Sequence, residues 1–589
     1  MKFFNNSLRR AASWLFSSLS SRQFLLAGAV IVGLWAGLSA VALKVCVHYL
    51  QEFLKTAGLR YGWIYLISPA TGILLTYLFI KYALGGDLMK GTSHVMLAIA
   101  RKSSFLPRTE VYSHLATSAL TVGMGGSAGL ESPIVQTGSA IGSVFSSFFP
   151  LGYRDRTLLL ACGAAAGIAT AFNAPIAGVL FALEVLLVDI SVAAFIPLLI
   201  AGATGALCSR IILSEGIPLS FREISNFNYL NTPYYVLLGI VCGLLSAFYL
   251  RAFAKSESVF RKFLPSAIVR LVIGGGLLGI LILIFPALFG EGYSSITSLA
   301  RLRPDDLFQG SPLQSILSVT QSRWAAAVLL VALLKVFAVS FTLNAGGNGG
   351  NFAPALLVGA CLGFSFAFGG NSLGITQLPV PNFCLVAMAG LLTGIFHSPL
   401  TAIFLIAEIT GGYELIIPLM IVSALSTAVS KYLNPLSLDE AKLNQNGGAV
   451  RFGRDVQILS GLTLNECVEK DFVMVQPGDS LRKLTEAVAR SRRNIFPVVD
   501  SNEKLMGLIA LEDIREMMFD TARYDQVTVD QLMRPPVVTA DVGDDMNTIM
   551  EKFDKTGVWS IPLLNQGRYI GFVSKSRVFS LYRNLLREN

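Results

Sequence analysis

Apolar residues fill the first three quarters of the chain in long unbroken runs, and the last quarter changes to short alternating patterns. A helical membrane crossing needs about 20 apolar residues. Uncharged runs of that order occupy 24–43, 61–80, 111–130, 132–153, 157–183, 190–209 and 271–290, and each is expected to be a helix. Residues 336–407 contain no Asp, Glu, Lys or Arg over 72 positions, too many for one helix. Gly346-Gly347-Asn348-Gly349-Gly350, Gly369-Gly370-Asn371 and the Pro379/Pro381 pair are the expected breaks. Irregular backbone at membrane depth survives only where protein or a watery cavity satisfies its polar groups.

The apolar body repeats itself. Gly125-Gly126-Ser127-Ala128-Gly129-Leu130-Glu131-Ser132-Pro133 aligns with Gly346-Gly347-Asn348-Gly349-Gly350-Asn351-Phe352-Ala353-Pro354. Further on, Phe172-Asn173-Ala174-Pro175 with Glu184 answers Phe396-His397-Ser398-Pro399 with Glu408 at the same spacing. Paired, Gly/Pro-interrupted segments in two halves point to a transporter with its site at the repeat interface. Glycine turns feeding broken helices present free N–H groups at partially positive helix ends, which suits an anion. A cation path would need carboxylates at depth.

Composition divides the chain. Of 589 residues 53% are hydrophobic and 14% charged, against roughly 25% charged in soluble domains. Residues 441–589 hold 20 basic and 20 acidic residues, so the net charge of +9 belongs to the membrane body, where basic loops face cytosol and anionic lipid. It gives no case for a nucleic-acid partner. The seven cysteines form no CxxC pair and imply neither disulfide framework nor metal site. The four histidines begin no HExxH motif, which removes the basis for an intramembrane metalloprotease. His397 reads as a structural hydrogen-bonding residue.

At these motifs the chain resembles the CLC family of chloride channels and chloride/proton exchangers. The family's GREGP segment is matched by Gly129-Leu130-Glu131-Ser132-Pro133 and its GGIFAP segment by Gly349-Gly350-Asn351-Phe352-Ala353-Pro354. The resemblance implies an all-α, multi-pass, inverted-repeat membrane domain with broken helices over 24–443 (repeats about 24–215 and 233–440); before it, the Ser-rich, basic residues 1–23 (Arg9, Arg10, Arg22), with no cleavage-site pattern, read as a cytosolic basic segment leading into the first span rather than a signal peptide. It implies a homodimer in the cytoplasmic membrane with one anion path per subunit, chloride as the bound substrate, and no enzymatic activity, catalytic residue or metal. Glu131 then corresponds to the gating glutamate. Gly129, Leu130, Asn351, Phe352 and Ala353 fall in the anion-binding segments. The GSGIP segment aligns best with Met89-Lys90-Gly91-Thr92-Ser93, which puts Lys90 at the anion-binding serine and Gly91 beside it. There Lys90 would hold the anion, or pair with Glu131; the alternative is a lysine at a helix end reaching water. Val185 stands where exchangers carry an inward-facing glutamate. The family's inner tyrosine has no match in 434–439. These departures favour channel-like or weakly proton-coupled chloride transport over a tightly coupled antiporter; a CBS-regulated cation transporter is the rival from another class.

Residues 444–460 read as a polar linker. Beyond it, Phe496-Pro497-Val498-Val499-Asp500 with Gly507 and Asp513 parallels Ile561-Pro562-Leu563-Leu564-Asn565 with Gly571 and Arg577. The alternation of short strands and helices fits a small cytosolic α/β module and resembles a tandem CBS pair, 461–522 and 523–589. Nucleotide-binding pairs use a hydroxyl and an Asp after the glycine. Here the first motif has Asp513 but Ala510, the second Ser574 but Arg577, so an adenine nucleotide would meet two incomplete sites.

Overall fold

The computed structural model describes residues 20–588 apart from 87, 102–103, 188–191, 214–224, 265, 315–320, 376, 446–463 and 545. It divides into two compact units, Met1–Val450 and Arg451–Asn589. Residues 1–19 of the basic segment assigned to 1–23 and most of the linker lie outside the described residues; the segment's last residues, capped by Ser20, open the helix Ser21–Arg60, and helix Leu438–Gln445 takes in the linker's first two positions.

Among the described residues of the first unit, nine helices are long and apolar enough to cross a bilayer. The Ala267–Ile284 helix shows why lipid must be the solvent. One face packs Leu271, Leu278 and Ile282 inward, while Ile268, Val272 and Ile280 stand well exposed on the other. A helix apolar all round is stable only inside protein or membrane.

The expected runs become helices with shifted ends. The 111–130 run is helix only over Glu110–Gly123, because its last residues form the glycine loop to Glu131. The 157–183 run is cut in two. Asn173 takes a left-handed conformation (φ 53°) that ends the Tyr153–Phe172 helix, and Pro175 starts the next. In the other repeat His397 (φ 56°) ends Val380–Phe396 and Pro399 starts Pro399–Thr410. Pro is favoured at a first helical position because its missing N–H costs nothing there. His397 is therefore a backbone device. Both ring nitrogens are buried without a hydrogen-bond partner, contrary to the role expected of it. A second correction concerns Gly369-Gly370-Asn371. The helix Phe352–Ser372 runs straight through it and stops only before Leu373, as glycines without a following proline need not break a helix.

Small residues let the central helices touch. Glu131–Ser146 crosses Tyr153–Phe172 so closely that a Cβ on Gly138 would lie 2.2 Å from the Gly163 carbonyl oxygen. Backbone contact of this kind is how helices associate where lipid removes the hydrophobic drive.

The two repeats run in opposite senses and lock each other. Gly129 and Gly350, equivalent in the alignment, form an antiparallel bridge with both N–H···O distances 2.8 Å. Glu184 accepts from the Leu400 N–H (3.0 Å), the Thr401 N–H (2.8 Å) and the Thr401 hydroxyl (2.7 Å). Glu408 accepts from the Ile176 (3.0 Å) and Ala177 (2.8 Å) N–H groups. Each repeat's conserved-spacing glutamate thus caps the other repeat's half-helix, satisfying amides that have no partner of their own.

In the second unit six strands appear: β1 (Val468–Glu469), β2 (Ile495–Val499), β3 (Leu505–Ala510), β4 (Ala540–Asp541), β5 (Ser560–Asn565) and β6 (Arg568–Ser574). β2 and β3 make one antiparallel hairpin; β5 and β6 make its counterpart within a sheet ordered β1-β6-β5-β4. β1, from the first motif, pairs with β6 of the second, so the first motif lends a strand to the second's sheet. Their cores are equivalent: Leu484, Phe496, Val498, Ile509 and Ile514 against Ile549, Ile561, Leu563, Val573 and Val578.

Candidate functional site

Two helices, Glu131–Ser146 and Phe352–Ser372, begin side by side at the Gly129/Gly350 bridge, one from each repeat. Their first-turn amides converge on one small space. The Glu131 carboxylate, on a residue only 3% exposed, fills part of it. One oxygen accepts from the Tyr293 hydroxyl and the other from the Ala353 N–H at 3.4 Å. Gly129 has to be glycine for this. A Cβ there would stand 2.2 Å from Glu131 Oε2.

Against the carboxylate lies a cavity of about 30 Å³, room for roughly two waters, lined by Gly91, Thr92, Ser132, Asn351, Phe352, Asp439 and Lys442 among others. The Thr92 and Ser132 hydroxyls face each other at 3.3 Å. Gln136 pins the turn before Thr92 by donating to the Gly91 carbonyl at 2.9 Å. The buried Tyr249 hydroxyl donates to the Asn351 side-chain oxygen at 2.9 Å. Phe352's ring sits among Phe172 and Phe396, each 5.5 Å away, and Phe181 at 6.4 Å. Backbone amides and two hydroxyls, with the Lys442 side chain also on the lining, are a set that suits an anion. Among the described residues no group of His, Cys, Asp or Glu could hold a metal.

Of the residues expected here, Glu131, Gly91, Asn351 and Phe352 line the cavity. Gly129, Leu130 and Ala353 do not line it. Gly129 is held in the bridge, Leu130 is buried, and Ala353 bonds the Glu131 carboxylate. Lys90 is a correction. Its ammonium donates to the Gly346 (2.6 Å) and Gly347 (3.1 Å) carbonyls and lines a separate cavity with Arg270, Arg261 and Glu257. It neither faces the anion space nor pairs with Glu131. Gly91 turns the chain at φ 94°, so the side chains before and after it point different ways and Thr92 supplies the hydroxyl instead. Val185 sits in a π-helical turn, Ala182–Leu186, packed on the core.

Sequence reasoning missed Thr92, Ser132, Tyr249, Tyr293, Asp439 and Lys442. Thr92 and Ser132 lay inside the quoted motifs and needed only a one-step change of register. Tyr249 and Tyr293 come from segments 100 or more residues away in sequence from their partners or nearly so, and no local pattern marks them.

Residues 70–431 match the family model described as voltage gated chloride channel, and residues 464–520 and 529–584 match the CBS domain. The chain belongs to the voltage-gated chloride channel family. As a CLC protein it is 32% identical over 411 residues to a putative chloride channel protein, ClcB-like, of Ralstonia nicotianae, covering 67% of this chain and 91% of that one. It is 29% identical over 318 residues to the H(+)/Cl(-) exchange transporter ClcA of Vibrio cholerae, covering 51% and 62%. In fold this CLC chain is similar to a slow cyanobacterial Cl-/H+ antiporter, with a TM-score of 0.63 at 23% identity over 73% of this chain and 98% of that one. The inverted-repeat membrane domain and the tandem CBS tail are thus those of the family.

Proposed function

We propose that this CLC chain carries chloride through the cavity beside Glu131, with Glu131 as the gate and with weak or no proton coupling. The observation that carries the reading is the seat of the Glu131 carboxylate. It takes up a backbone N–H of the opposing repeat's helix, so carboxylate and chloride compete for one kind of donor. Protonation removes the charge that makes the carboxylate competitive and frees the seat.

Val185 supports the weak-coupling part. A valine neither accepts nor donates a proton, and the π-turn gives its side chain to the core. The basic composition of the loops favours the cytoplasmic membrane with the tail in the cytosol. For the tail a structural role fits its residues better than nucleotide sensing. Asp513 is paired with Arg534 at 2.8 Å and accepts from the Ala510 N–H, while Ser574 accepts from the Arg577 N–H at 3.2 Å. Both candidate ribose contacts are occupied as helix caps.

Chloride efflux from liposomes under valinomycin tests the gate. Wild type is expected to respond to external pH, and Glu131→Gln to conduct persistently without that response. A Glu131→Gln protein that keeps the wild-type pH profile sets the gate elsewhere. Proton uptake driven uphill by a chloride gradient, at a fixed ratio, would replace weak coupling by antiport.

A further inference from the structure

A second cavity, of about 260 Å³ against about 30 Å³ beside Glu131, opens where three helices of the membrane body end or begin. Its walls include Lys90, Glu257, Phe260 and Arg261 from the last two turns of Thr232–Phe263, Arg270 from the first turn of Ala267–Ile284, and Asn344 at the end of Gln321–Asn344. It shares no lining residue with the anion cavity. Three cations meet one carboxylate here. Glu257 stands 3.9 Å from Arg261, and Lys90 is committed to the Gly346 and Gly347 carbonyls. Arg270 has neither ion pair nor side-chain hydrogen bond among the described residues, although its Nε is buried. A buried donor on a cation is costly to leave bare, so the cavity favours an added acceptor. Its wall also continues into lipid. Ile273 and Leu277 follow Arg270 at i+3 and i+7 on one helix face, and both are exposed, as are Val259 and Phe263 on Thr232–Phe263.

We propose that this cavity binds the headgroup of an anionic phospholipid of the cytosolic leaflet. The Arg270 guanidinium takes the phosphate, with Arg261 and Lys90 alongside, and an acyl chain lies along Ile273 and Leu277. A basic hollow that runs on into an exposed apolar strip fits an amphiphile with a charged head better than an ion without a tail. Arginine suits the head because its planar fork offers a phosphate two parallel donors. The leaflet follows from charge. Residues 251–270, which end one helix and begin the next, hold five basic residues and one acidic. That bias marks a cytosolic connection, and the cytosolic leaflet is the one rich in anionic lipid. Glu257 alone opposes the head, and Arg261 beside it offsets its charge. Lys90 keeps its two carbonyls and turns its remaining N–H to the phosphate. The bound lipid therefore steadies the glycine loop from Gly346 that leads to Asn351 and Phe352, and the anion path gains a support from the membrane itself.

The test is native mass spectrometry of the full chain in a non-ionic detergent, titrated with dioleoyl phosphatidylglycerol or dioleoyl phosphatidylcholine. Wild type is expected to retain its first phosphatidylglycerol at about a tenfold lower concentration than its first phosphatidylcholine. Arg270→Gln should bring the two lipids within about twofold, and Arg270→Lys, which keeps the charge but not the fork, should fall between. Arg210→Gln removes a cation from the end of another helix, Val192–Leu213, and should keep the wild-type preference. A wild-type protein without the preference overturns the proposal. So does an Arg270→Gln protein that keeps it, or an Arg210→Gln protein that loses it as fully. Thermal unfolding decides the source of the phosphate. Phosphatidylglycerol is expected to raise the melting temperature of wild type but not of Arg270→Gln, and millimolar inorganic phosphate to raise neither. An equal, Arg270-dependent rise with inorganic phosphate alone would make this a site for free phosphate and overturn the lipid.

Discussion

Gly129 sets the tightest constraint on the gate at the scale of single residues. An added methyl would meet the far end of a flexible side chain, Glu131 Oε2, at 2.2 Å, and Ala353 atoms just beyond 3 Å. Gly129→Ala is therefore expected to unseat the Glu131 carboxylate without deleting it. Efflux should rise several-fold at neutral pH, approaching the Glu131→Gln level; unchanged efflux and pH response would show that the carboxylate can move aside without opening the path. Lys90 teaches the opposite lesson. The aligned register put it in the anion site, yet it caps the Gly346 and Gly347 carbonyls. Lys90→Ser should leave chloride affinity and turnover near wild type while lowering thermal stability by about 1–3 kcal/mol, the range for losing hydrogen bonds from a charged group. The motif glycines and Glu131 were legible because backbone turns and a buried carboxylate leave strict residue requirements. Thr92 was not, since one left-handed glycine decides which neighbour faces the cavity and no residue pattern encodes that direction.

Among elements, the break at Gly346–Gly350 was readable from sequence, since the helix Gln321–Asn344 ends before it and Phe352–Ser372 starts after it. Phe-X-X-Pro was legible as a repeat of the two halves but not as a break: in both it marks a left-handed stop followed by a proline start, and it cuts the 157–183 run that was expected to be one helix. The Gly369-Gly370 break failed because glycine permits a bend without imposing one. What the sequence could not display was the purpose of Glu184 and Glu408, which lies across the repeat interface. Glu184→Ala removes an acceptor for three donors and should cost about 2–3 kcal/mol, because the part-buried Thr401 N–H and hydroxyl at the start of Pro399–Thr410 lose a charged partner. The melting temperature of the detergent-solubilised protein measures it. Glu408→Ala, with two donors stranded, should lose somewhat less; the reverse order would mean that the Thr401 hydroxyl contributes nothing.

On the scale of the whole molecule, the change in charge density near residue 440 announced two units, and the chain divides there. Every residue lining the anion cavity precedes residue 443. Removal of residues 446–589 is thus expected to leave the chloride-over-nitrate ratio of efflux unchanged, within about twofold, while altering rate or stability; a changed ratio would implicate the tail in the path. The insertion of β1 into the second motif's sheet was illegible, because two-residue strands carry no periodic signal. The reciprocal caps have a further consequence, in time. Ile176 leaves the ribosome 232 residues before the glutamate that will cap its helix. At about 5–20 residues per second that is a wait of roughly 10 to 50 seconds. Until then the first half holds a short helix, Pro175–Phe181, whose first amides lack the acceptor that will cap them. The nascent half-protein is accordingly the stage at which a membrane chaperone, or the insertion machinery itself, has the most to hold.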